Sequence, residues 1–180
     1  MEAIFETERL IVRKWKEDDL KDLYEYASDE RVTKFLPFPT HKSIEDAKTR
    51  LDYIFEEYAQ DNPNNDYAIQ LKSTGKVIGA IGMYNYSKNN GGEIEVGYAL
   101  NFDYHGHGYM TEVLTAFLKH IKKLGITKRI FAKHDVLNEK SGHVLKKCGM
   151  TFEKILEKAG SNNFHSDADL AFYSILNENI

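Results

Sequence analysis

The sequence predicts a mixed α/β (α+β) chain in which a meander of antiparallel strands passes into helices and closes on further strands. Three observations predict it. Alternating apolar runs follow one another across 67–71, 76–86 and 93–100 with turn residues between them. Apolar residues then recur at helical spacing from Met110 to Ile121. No repeat, linker or low-complexity stretch divides the 180 residues.

In chain order, TERLIVRKW (7–15) alternates well enough for a first strand, with Leu10, Val12 and Lys14 on one face and Ile11, Arg13 and Trp15 on the other. Asp18 or Asp19 is placed to cap a helix carrying Leu20, Leu23 and Ala27, and Ser43 opens a longer one with Ile44, Ala47, Leu51, Ile54, Phe55 and Tyr58. Between them the two prolines of FLPFP (35–39) forbid a regular helix, so its aromatics either line a groove or pack over the core. DNPNND (61–66) ends the second helix; YAIQL, a turn at 73–75 and KVIGAIGMYNY make two adjacent strands, and SKNNGG (87–92) turns into EIEVGYAL. The helix after Gly108 ends at Gly125. RIFAKH is a strand, NEKSGHVLKKCG a short helix, and FEKIL and DLAFYSIL two closing strands.

The apolar content of 42% supports one packed core, and a single domain over 1–180 with its core at about 7–177 is expected. Every apolar run is short and broken by charge, and MEAIFETERL is acidic where a secretory signal would be basic, so a cytoplasmic protein without a membrane span is expected. The one cysteine, Cys148, makes no intrachain disulfide and rules out a cysteine-rich metal site. Residues 105–150 hold nine Lys or Arg against three acids, a local charge of +6 in a chain of net −4, which leaves −10 elsewhere. That asymmetry suits an anionic cofactor on one side and a cationic substrate on the other, and argues against nucleic acid.

The basic segment contains the one place where backbone chemistry is directly legible. In YHGHGYMTE (104–112), His105, Gly106, His107 and Gly108 form a turn of small and polar residues that opens a helix. First-turn amides have no intrahelical partner, and such a start attracts phosphate. His105 and His107 lack a nearby thiol or carboxylate at ligand spacing, so no metal is expected. His120, His134 and His143 read as surface residues of their elements. Asn138 is a good helix N-cap with Ser141 in the first turn after it.

Taken together, TERLIVRKW, GYAL, HGHGYMTE, NEKSGHVLKKCGM and the closing FYSIL resemble the GNAT superfamily of acyl-CoA N-acetyltransferases, specifically its RimJ/RimL branch, over essentially the whole chain. The resemblance implies the GNAT fold: a central mixed, mostly antiparallel twisted sheet of six to seven strands flanked by helices. It implies acetyl-CoA as cosubstrate, no metal, and transfer to a primary amine, either a protein N-terminus or a small amine, by direct attack in a ternary complex. A non-catalytic acyl-CoA-binding module is the alternative, prompted by departures from the family turn at His105 and Met110. A monomer or a homodimer fits equally.

The family pattern assigns His105, Gly106, His107, Gly108, Tyr109, Met110 and Thr111 to the cofactor's pyrophosphate, mainly through backbone amides. It assigns Asn138 to the pantetheine arm, Ser141 to the region of the thiol as proton donor, and Ala99 and Leu100 to the acetyl group through amides freed by a bulge or splay. Glu95, on the strand face of Ala99 by period-2 counting, is the candidate base, with Glu93 its rival. Tyr98, Tyr104 and Tyr109 stack on the cofactor or pack beneath it, without a catalytic role. Asp169 and Tyr173 fit the closing strand, whereas AGSNNFHSDA departs from the family pattern.

Overall fold

The computed structural model describes residues 3–60, 64–86 and 92–180; of the turns expected at 61–66 and 87–92, residues 61–63 and 87–91 lie outside them. The strands are β1 Ala3–Glu6, β2 Leu10–Arg13, β3 Asn65–Leu71, β4 Val77–Tyr84, β5 Ile94–Leu100, β6 Arg129–Asp135, β7 Thr151–Gly160 and β8 Ala168–Leu176. They form one sheet in the order β1-β2-β3-β4-β5-β6-β8-β7. Eight strands replace the expected six to seven, because the four residues of β1 add an edge that is too short to carry a readable alternation. All pairings are antiparallel except β5 with β6.

Helices cover both faces. On one, α4 (Tyr109–Leu124) lays Val113, Leu114, Phe117, Leu118 and Ile121 against Val12, Ile69, Ile81, Ile94 and Ile130, with Leu145 of α5 (Glu139–Lys147) joining them. On the other, α1 (Leu20–Ala27) and α3 (Ile44–Tyr58) pack Leu23, Tyr26, Ala47, Leu51 and Ile54 on Trp15, Ala68, Val77 and Ala80. Burial on both faces explains why β4 is a continuous apolar run rather than an alternating one. A short α2, Glu30–Thr33, capped by Asp29, carries the chain into FLPFP.

Local signals place the helix ends where the sequence expects them. Ser43 and Asp46 form a capping box at the start of α3, and Gly125 closes α4 at φ 65°. Arg13, on the face of β2 away from Val12, is buried and paired with Asp19 at 2.7 Å, so both faces of β2 are closed to water. At the far edge, β7 leaves most of its residues exposed, and its register with β8 breaks twice.

Candidate active site

Topology makes the opening. The parallel ladder between β5 and β6 holds only Ile94 to Ile130 and Glu95 to Phe131, while β4 stays paired with β5 as far as Leu100. Beyond Glu95, β5 and β6 diverge, and the β5 edge from Val96 to Leu100 faces a gap. Each strand of the pair then feeds a helix at its carboxyl end, β5 into α4 and β6 into α5. Two helix N-termini therefore converge on one splay.

At the first of these, Gly106 and Gly108 adopt φ 81° and 79°, a region that side chains disfavour, and a methyl on Gly106 would meet nothing within 4 Å. The backbone is thus exposed to a large partner. The first bond of α4 runs from the Glu112 amide to the Gly108 carbonyl at 3.0 Å, so the amides of Tyr109, Met110 and Thr111 precede the ladder. Both histidines brace the turn itself. His105 Nε2 donates to the Leu100 carbonyl at 3.0 Å and His107 Nδ1 to the His105 carbonyl at 2.9 Å, since a carbonyl only accepts. Met110 turns its side chain into the core, leaving only its amide for the turn. Small residues, unpartnered amides and a positive helix end fit the diphosphate of a cofactor.

Within the splay lies a cavity of about 560 Å³ whose lining includes Glu95, Tyr98, Ala99, Asn138 and Ser141. The Glu95 carboxylate is held by Lys133 at 3.1 Å and by the Asn85 amide at 2.5 Å. Its rival, Glu93, is drawn to Arg129 at 2.8 Å and takes no part in the lining. Asn138 caps α5 through the Ser141 amide. The Ser141 hydroxyl meets the phenol of Tyr98 at 2.9 Å, and burial holds that phenol above its usual range against the opposing hydrogen bond, so it stays a neutral donor.

The cavity also has an aromatic side with a part-buried ion pair. Phe35 and Phe38 of FLPFP line it together with Tyr26, Tyr84 and the Arg50–Asp66 ion pair at 2.8 Å. Tyr84 lies over two glycines: a methyl on Gly97 would come within 2.9 Å of its ring and one on Gly82 within 2.6 Å of its hydroxyl. Asp135, at the end of β6, accepts from His165 at 2.6 Å, Asn162 at 2.7 Å and the Leu137 amide at 2.8 Å. Burial works to raise its carboxyl, but those donors outweigh it and the group sits below the usual carboxylate range. The segment AGSNNFHSDA (159–168) is thereby tied to the site.

Glu95, Ala99, Asn138 and Ser141 thus line one cavity, whereas Leu100 and residues 105–111 lie outside its lining. Sequence reasoning missed Tyr98 as a neighbour of Ser141, because 43 residues separate the pair and no local pattern links them. It also misplaced two histidines. His134 lines the cavity and stacks on Tyr173 at 5.5 Å, and His120 stacks on Phe117 at 6.3 Å; burial lowers the pKa of both. Among the described residues no three His, Cys, Asp or Glu side chains are grouped to hold a metal ion, and no helix is long and apolar enough to cross a membrane.

Comparison with known proteins gives a consistent answer. Residues 9–151 match the acetyltransferase (GNAT) domain family. The uncharacterized N-acetyltransferase YnaD of Bacillus subtilis (strain 168) is 30% identical over 172 residues, 96% of each chain. Among solved structures, the ribosomal-protein-S5-alanine acetyltransferase from Vibrio fischeri superposes with a TM-score of 0.82 at 26% identity, covering 97% of this chain and 96% of that one. RimL, the ribosomal L7/L12 α-N-protein acetyltransferase in complex with coenzyme A, shares the fold at a TM-score of 0.84 and 20% identity, covering 97% and 98%. The chain belongs to the acetyltransferase (GNAT) family and is an N-acetyltransferase.

Proposed function

We propose that the protein transfers an acetyl group from acetyl-CoA to a primary amine, by direct attack of the amine in a ternary complex, and that it belongs to the RimJ/RimL branch. The observation that carries this reading is the splay of β5 from β6, which opens a cavity holding Glu95 and the Tyr98–Ser141 pair between the strands that lead into α4 and α5. The likeness to the Vibrio fischeri S5-alanine acetyltransferase supports the branch and an α-amino acceptor. The single continuous sheet supports one catalytic domain over 1–180.

Acetyl-CoA supplies the thioester. The His105 amide is spent on the Phe102 carbonyl at 3.1 Å, so the amides of 106–111 hold its diphosphate; Asn138 meets the pantetheine arm, and the open β5 edge at Ala99 and Leu100 positions the acetyl group. The amine forms a C–N bond as the C–S bond breaks. Glu95 accepts the amine proton, directly or through a water, and the Tyr98–Ser141 pair returns a proton to the sulfur. A thiol of reference pKa about 8.5 leaves readily, so the donor pair assists rather than enables. An α-amino group near pKa 8 sheds its proton more easily than a lysine near 10.4, which favours N-terminal or small-amine acceptors.

The deciding experiment incubates purified protein with acetyl-CoA and a panel of peptides and small amines and measures free CoA. Amine-dependent CoA release is expected, and Glu95→Gln should lower kcat by about 10²-fold or more. Tight acetyl-CoA binding with no release across the panel would leave only a non-catalytic binding role. Failure to bind acetyl-CoA at all would remove the cosubstrate assignment.

A further inference from the structure

The motif TERL, which takes no part in the cavity lining, contacts both the glycine turn and the first helical turn after it. Thr7 Oγ1 donates to Glu112 Oε1 at 2.6 Å, the Arg9 amide donates to the same oxygen at 3.0 Å, and Arg9 Nε reaches Oε2 at 2.7 Å. Both carboxylate oxygens of Glu112, in the first turn of α4, are thus taken by the turn between β1 and β2. The guanidinium goes further. Its Nη1 donates to the His107 carbonyl at 3.0 Å, and its carbon lies 4.4 Å from the centre of the Tyr109 ring.

Two consequences follow for an anion seated on the turn. In a trans peptide the carbonyl and the next amide point in opposite directions, so turning the His107 carbonyl onto Arg9 turns the Gly108 amide away from Arg9. A glycine at φ 79° lacks a side chain to hold that peptide plane, and Arg9 holds it instead. Charge is the second consequence. Glu112 favours helix initiation but repels a diphosphate at the same helix end, and Arg9 cancels that charge at 2.7 Å.

We propose that Thr7 and Arg9 form a positioning clamp for the cofactor seat, aiming the Gly108 amide through the His107 carbonyl and neutralising Glu112 beside the diphosphate. This rests on the acetyl-CoA reading above. Arg9 is a positioning residue and remote from the reacting carbonyl, so its loss acts on cosubstrate binding alone.

The test is steady-state kinetics of Arg9→Ala with acetyl-CoA and, separately, with S-acetylpantetheine, which lacks the diphosphate. The KM for acetyl-CoA should rise by about tenfold or more, while kcat, the acceptor KM and kcat/KM for S-acetylpantetheine hold at wild-type values. Arg9→Lys, which keeps the charge but not the fork, should fall between the two and serves if Arg9→Ala unfolds. An unchanged KM, or equal losses on both cosubstrates, would overturn the clamp. Wild-type protein that releases no CoA would sink the acetyl-transfer reading itself, whereas a wild type that turns over beside an unaffected Arg9→Ala sinks only the clamp.

Discussion

The phenol oxygen of Tyr98 stands 2.9 Å from the hydroxyl of Ser141 and 3.2 Å from its carbonyl, joining the splayed part of β5 to the first turn of α5. If the two hydroxyls act as one proton donor, Tyr98→Phe and Ser141→Ala should each lower kcat by about 10²-fold with little effect on the KM for acetyl-CoA. The double variant should be no slower than the slower single, because residues acting as a unit are not additive. Multiplying losses would mean that the two hydroxyls act separately.

Asn163 ties the connection between β7 and β8 to the FLPFP segment, its amide donating to the Thr33 carbonyl at 2.9 Å and the Phe38 carbonyl at 2.8 Å. Phe35 meets Phe164 edge-on at 6.2 Å in the same junction. Asn163→Ala should cost only about 1–2 kcal/mol of stability but raise the acceptor KM several-fold, about 5-fold being typical of one lost positioning contact. The KM for acetyl-CoA should not move. A change confined to acetyl-CoA would show that this junction does not border the acceptor path.

The buried pair of Arg13 and Asp19 gives a stability prediction independent of catalysis. Arg13 forks onto both Asp19 oxygens at 2.7 and 2.8 Å and gives Nε to Gln70 at 2.7 Å. Asp19→Ala leaves a buried guanidinium uncompensated and should cost about 3–5 kcal/mol in urea unfolding. Removing both charges, as in R13M/D19L, should cost less than the sum of the two single changes.

Three histidines set a pH dependence. Burial lowers the pKa of His41, His120 and His134 in the folded chain, so the unfolded chain, near 6.5, takes up protons first as pH falls. Their contribution is complete above about pH 6.5 and is lost below it, toward the lower folded values. The unfolding temperature should therefore drop between about pH 7.5 and about pH 5.5, and His134→Gln should shrink that drop. Asp135, held below its unfolded value of about 3.9, adds a further loss at more acid pH. A melting temperature that is flat across this range would contradict the burial assigned to these rings.

The parts of this architecture that local chemistry dictates were legible in the sequence. Ser43, Asn138 and Gly125 terminate helices where their side chains or lack of one demand it, and the Met110–Ile121 stripe faces the core. What escaped was set by distance along the chain. The divergence of β5 from β6 and the Tyr98–Ser141 contact depend on a parallel crossover, and the His165–Asp135 bond across 30 residues on the antiparallel pairing of β6 with β8; neither pairing leaves a mark on the residues involved. β1 escaped for another reason, since its four residues are too few to show an alternation.

An open sheet has two edges, and at one of them β7 leaves most of its ten residues exposed to water. Two copies meeting edge to edge about a two-fold axis place side chains of like orientation opposite one another, so partners differ by an even number of positions. Centred on Ile155 that sets Glu153 against Glu157, and centred on Leu156 it sets Lys154 against Lys158. Both central registers are repulsive. Lys158, at φ 48°, further bends the strand out of the plane a neighbour would need. The alternation of charge along TFEKILEKAG therefore acts as a guard against strand-by-strand polymerisation at this edge.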